Sequence, residues 1–147
     1  MGIKELLREA HGEKPKTNDW VQELIEAERN RPLETVDFDV QIGAVLAPIT
    51  LTEVRGYEWA EISATPPRPG NTEDARLGCH TDRLLAAYPV GRITVDGEHP
   101  AVEDWAALLD VIGAPSRADI VAALWWMHWG LPLERKANAK KHERGAD

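Results

Sequence analysis

The sequence predicts an α+β fold, mainly α, in which a small antiparallel β-hairpin packs with a helical domain. Three observations lead there. Val36, Phe38, Val40 and Ile42 alternate with Asp37, Asp39 and Gln41, the period of a half-buried strand. Val102 to Ile112 carries apolar residues at helical spacing, and Ser116 to Gly130 does so again with three tryptophans, Trp125, Trp126 and Trp129. A chain of 147 residues fits one domain of common size, large enough for a real core.

Taken in order, Ile3, Leu6, Leu7 and Ala10 make the apolar edge of a short helix that Gly12 and Pro15 close. Asn18 or Asp19 caps a second helix, from Trp20 to Asn30, with Trp20, Leu24 and Ala27 as its stripe. Residues 1–34 are therefore expected to form an N-terminal helical arm. The strand from Val36 turns at Gly43-Ala44 and returns over Val45 to Val54, with Pro48 expected to confine this return to an edge or a bulge. Asp37 and Asp39 share the solvent face of the first strand, without a third ligand beside them.

Tyr57 to Ala64 is a short helix stopped by Thr65-Pro66-Pro67-Arg68-Pro69-Gly70, a polyproline-like loop within the domain. Thr81 or Asp82 caps a helix carrying Leu84, Leu85 and Tyr88, and Arg92 to Val95 with Asp96-Gly97 reads as a short strand and turn. Val102, Trp105, Leu108, Leu109 and Ile112 form an amphipathic helix with Glu103 and Asp104 in its first turn. Gly113 and Pro115 then turn the chain into the tryptophan helix, so these two are expected to pack as an antiparallel pair.

Ser116 is the expected N-cap of the tryptophan helix, with Asp119 behind it, and Gly130 with Pro132 its expected stop. Ile120, Leu124, Met127 and Leu131 define one face to be buried. Trp125, Trp126 and Trp129 cannot all share that face at 100° per residue, so at least one is expected to be partly exposed. Such a helix is either central to a core or half core and half docking surface. The enrichment of tryptophan at interfaces favours the second, which makes Trp125, Trp126 and Trp129 the candidate partner-binding residues. After Pro132 the composition turns polar and basic, and residues 132–147 are expected to be a flexible charged tail; the α+β domain spans 35–131.

Seventeen basic against twenty-five acidic residues, a net charge of -8, argue against a phosphate-binding surface and hence against a nucleic-acid partner. No apolar run approaches the ~18 residues of a membrane span, and the polar start is unlike a signal peptide. The single Cys79 excludes an internal disulfide and suits a reducing compartment. His11, His80, His99, His128 and His142 are scattered, with no metal-ligand spacing. Phosphate loops and a GxSxG elbow are missing, and Cys79 beside His80 is a poor nucleophile and base because sequence neighbours usually point apart. No catalytic, metal or cofactor site is expected.

The pattern of elements, with Trp59-Ala60-Glu61-Ile62 before Ala64-Thr65-Pro66-Pro67, Leu84-Leu85-Ala86-Ala87, Val102-Glu103-Asp104-Trp105 and Asp119 to Trp125, resembles the tail assembly chaperones of long-tailed bacteriophages and prophages of actinobacteria. The resemblance covers about residues 35–130. The chain departs from it at Thr65, where members often have a histidine, and at Met127-His128-Trp129, where they often have alanine and asparagine.

What the resemblance implies is a non-enzymatic role in the host cytoplasm. Such a chaperone holds the tape-measure protein soluble, recruits major tail-tube subunits around it, and is absent from the finished virion. It also implies a programmed frameshift near the end of the frame, for which Lys140-Lys141 is the one pair of adjacent lysine codons. The alternative is a neck or tail-completion protein retained in the particle, and the sequence leaves self-association open.

Overall fold

The structure, a computed structural model, describes residues 18–145, with side chains through Lys141. The expected helix near Ile3 to Ala10 lies outside the described residues. The chain divides into two units, Met1–Pro32 and Leu33–Asp147.

In the first unit, helix α1 (Asp19–Asn30) starts where the sequence predicts, with Asn18 at the N-cap position but without a side-chain capping bond. Its end is held by Arg31, whose guanidinium lies 3.1 Å from Glu28. None of its residues is buried, and Trp20 and Leu24 are exposed.

The second unit is α+β and mainly α, as expected. Strands β1 (Thr35–Ile42) and β2 (Val45–Thr52) form the hairpin, in a register that pairs Val36 with Leu51, Phe38 with Ile49, and Ile42 with Val45. Directly opposed residues share a face, so the alternation in β1 places Val40 beside the buried Ile49 and Leu51 while Asp37 stays outside, accepting 2.6 Å from the Thr50 hydroxyl. The fragment Ile93–Val95 is a third strand, β3, antiparallel to β2.

The sheet order β1-β2-β3 makes β2 central, but β3 pairs only with Ile49–Leu51, so Pro48 keeps the expected edge character on that side. The reason is local. The Pro48 carbonyl accepts from Asp96 at 2.8 Å, on the side where β3 has already ended, so the missing N–H of Pro48 costs no ladder bond. There the chain reverses at Asp96-Gly97, both with positive φ, the conformation that a tight hairpin turn demands of this dipeptide.

Helices α2 (Gly56–Ile62), α3 (Thr72–Leu77) and α4 (Thr81–Ala87) lie between the hairpin and β3 in the chain. Helix α3 is absent from the sequence expectation, and its N-cap is Asn71, whose side chain accepts from the Asp74 N–H. The cap of α4 is His80 rather than Thr81 or Asp82: its Nδ1 accepts from the Arg83 N–H at 3.3 Å. Thr81 is instead buried against Asp74, a carboxylate with no exposed surface. Asp74 accepts from the Arg68 peptide and guanidinium at 2.8–3.0 Å, and from the Thr81 peptide and hydroxyl at 3.1 and 2.7 Å. This one side chain ties the Pro-rich loop to the α3–α4 corner. Its guanidinium partner holds the carboxyl well below the usual carboxylate range.

Helix α5 (Val102–Val111) buries Trp105 and Leu109, and the Trp105 indole N–H donates to the Leu85 carbonyl at 3.0 Å. The close neighbour of α5 is therefore α4. Helix α6 (Ala114–Trp125) lies chiefly against β1 and α3, which corrects the expected antiparallel pair of α5 and α6. The link between them is a corner of two extended residues, Ile112 and Gly113.

The α6 start also differs from expectation. Pro115 stands in the first turn, and Ser116, buried, donates its hydroxyl to the Gln41 carbonyl at 2.7 Å instead of capping the helix. A β-strand carbonyl left without a ladder partner outcompetes the local N-cap bond. Ile120, Leu124 and Met127 are buried as predicted, within a core that also holds Val40, Ile49, Leu84, Tyr88 and Ile93.

Candidate docking face

The tryptophan helix does not stop at Gly130. Residues Trp126–Gly130 form a single wider π-type turn, closed by the Leu131 N–H on the Trp126 carbonyl, and the chain runs on as helix α7 (Leu131–Gly145). This corrects the expected stop at Gly130, and the charged stretch from residue 132 is helical. Pro132 has no N–H to offer the carbonyl four residues back and would clash with it in a regular α-helix; a turn with i to i+5 bonding carries that carbonyl out of register.

Gly130 has a role other than a left-handed cap. An added Cβ would lie 2.4 Å from Trp126 Cε3 and 3.1 Å from Trp125 Cζ3, so only glycine lets both indoles close over the turn.

The three tryptophans separate accordingly. Trp125 is half-buried against the core, with the Arg76 guanidinium 6.0 Å from its ring centroid. Trp126 and Trp129 remain 40% and 47% exposed while Met127 between them is buried, and Leu133, in the stretch expected to be a tail, is 58% exposed. Trp129 and Leu133 are four residues apart and share a helix face, while the Trp126 ring lies over Gly130. The result is a strip of exposed apolar residues along one unbroken helical run. The 126, 129, 133 spacing is helical, but the Gly130 and Pro132 signals argue for a break in front of Leu133 and hide it in the sequence.

His128 anchors the strip to the body of the domain. Its ring stacks on Trp59 at 3.9 Å and 10°, and meets Tyr88 edge-on. Nε2 accepts from the Val54 N–H at 3.2 Å, so the ring proton sits on Nδ1 and is donated to the Leu124 carbonyl at 2.9 Å. Tyr88 completes the group by donating its hydroxyl to the Thr52 carbonyl at 2.6 Å.

Both ring nitrogens are thus satisfied by the neutral imidazole. Burial pushes its pKa below the ordinary 6.5, with the Glu53 carboxylate pulling the other way. A folded-state pKa below the unfolded one means that the stabilisation is complete above pH ~6.5 and is lost as pH falls toward the depressed value. The melting temperature is expected to fall between pH 7.5 and pH 5, and to fall less in His128→Gln. Equal slopes in the two proteins would rule out His128 as the source.

Among the described residues, other chemically capable groups are not assembled. Cys79 is buried and its thiol is pushed up by burial and by Asp74, while the His80 Nδ1 is occupied by the α4 cap. The hollow bounded by Gln41, Gly43, Gly113, Pro115 and Ser116, about 280 Å³, has no titratable side chain in its lining. Among the described residues no group of three or more His, Cys, Asp or Glu is placed to hold a metal, and no helix is long and apolar enough to cross a membrane. No family model, curated protein or solved structure matches the chain.

Proposed function

We propose that the chain is a non-enzymatic binding protein that uses the Trp126–Trp129–Leu133 strip to carry a partner, acting as a phage tail assembly chaperone. In that role it would bind the tape-measure protein in the host cytoplasm, recruit major tail-tube subunits, and leave before the virion is complete. The observation that carries the reading is the exposure of two tryptophans on a helix whose opposite face is anchored in the core. Tryptophan is favoured in binding hot spots, and a patch held by a rigid helix loses little conformational entropy on docking. A net charge of -8 keeps a complex with an apolar helical partner in solution.

Co-purification with the tape-measure protein of the same phage or prophage tests the role. Trp129→Ala is expected to change folding stability by less than ~1 kcal/mol and to weaken that complex by at least ~30-fold, as a hot-spot loss of ~2 kcal/mol does. If stability and binding fall together, the docking face is not separable from the core and the reading fails. Mass spectrometry of purified virions decides between a chaperone, which is absent from them, and a neck or tail-completion protein, which is present in stoichiometric amount.

A further inference from the structure

The apolar strip has a charged continuation. On the regular helix α7, Lys136 and Lys140 follow Leu133 at intervals of three and four residues and are exposed, so Trp129, Leu133, Lys136 and Lys140 lie in one row. Helix α7 holds five Lys or Arg against two Glu, in a chain whose net charge is -8. Arg135 is engaged elsewhere, with Nη2 3.0 Å from Glu34 Oε1, and no carboxylate stands in the row itself. The row is therefore apolar at its start and cationic at its end.

We infer that this row selects an amphipathic helix of a partner protein whose apolar stripe is followed by carboxylates about two helical turns beyond its last large apolar residue. Lys140 lies seven residues past Leu133, about 10 Å along the axis at the α-helical rise, which sets that spacing. Charge complementarity fixes the direction in which the partner helix lies, because the reversed helix would set its carboxylates against the tryptophans and leave the lysines facing apolar side chains. An anionic membrane or a nucleic acid is the less suitable occupant, since the rest of the chain is strongly acidic and would repel it. The inference rests on the tryptophan strip being a docking face and adds the chemistry and polarity of what docks.

The test uses the full chain and two labelled synthetic helices with the same leucine stripe. One carries glutamates at the predicted spacing, the other lysines at the same positions, and binding is read by fluorescence anisotropy. The glutamate helix is expected to bind at least about fivefold more tightly at low ionic strength, as two exposed ion pairs allow. The difference should vanish near 1 M salt, where the screening length drops to about 3 Å. The double substitution Lys136→Glu with Lys140→Glu should reverse the preference. Trp129→Ala should weaken both peptides.

Equal binding of the two peptides, abolished by Trp129→Ala, would overturn the charge selection while leaving the docking face standing. Binding of neither peptide would overturn both. Capture of phosphatidylserine vesicles or heparin that is lost in the lysine double variant but unchanged in Trp129→Ala would make the basic end a general anion patch and overturn the inference as well.

Discussion

Trp105→Ala is expected to lower the free energy of unfolding by about 3–5 kcal/mol, the range for deleting a large aromatic side chain from a core. Trp105 is 2% exposed, and its indole N–H is the donor to the Leu85 carbonyl. The substitution therefore opens a cavity between α5 and α4 and at the same time leaves a buried carbonyl without its partner. Urea denaturation followed by circular dichroism reads the change directly. A loss below ~1 kcal/mol would show that α5 is not integral to the core. Trp105→Phe should recover much of the packing but not the hydrogen bond, and so fall between the two.

The second large effect is expected at a charged residue. Asp74→Ala removes an acceptor for two peptide N–H groups, a hydroxyl and a guanidinium at once. Leaving the buried Thr81 peptide and hydroxyl without their acceptor costs about 1–3 kcal/mol per donor, whereas Arg68, 38% exposed, is solvated by water. Arg68 also reaches Asp82, which in turn holds Arg117 of α6 at 3.0 Å, so the loss extends from the Pro-rich loop to the start of the tryptophan helix.

Because the Asp74 carboxyl titrates well below the ordinary carboxylate range, its contribution is present above pH ~4 and is lost as pH falls further. Asp74→Ala is expected to be destabilised at pH 7 and to lose less additional stability on acidification. A variant as stable as the parent at pH 7 would mean that Arg68 and Thr81 are solvated equally well without it.

By itself the sequence determined what depends on near neighbours. The alternation in β1, the helical spacing in α1, α5 and α6, and the Asp96-Gly97 reversal all follow from side chains within a few positions of one another, where backbone geometry sets which ones share a face. The partial exposure of the tryptophans was also legible, since 100° steps cannot bring Trp125, Trp126 and Trp129 onto one side.

Tertiary structure alone decided the choices in which a local signal met a distant competitor. Ser116 has the composition of an N-cap yet bonds to Gln41, seventy-five residues earlier. Pro48 can sit in the central strand because β3 stops short of it. His128 becomes the anchor of the π-type turn only because Val54, just past β2, and Trp59 of α2 meet it, both some seventy residues earlier in the chain. Gly130 and Pro132 are ordinary helix terminators in isolation. The indoles closing over Gly130 and the wider turn before Pro132 let the helix continue, since the energy of packing two large aromatic rings outweighs a local preference worth about 1 kcal/mol for glycine.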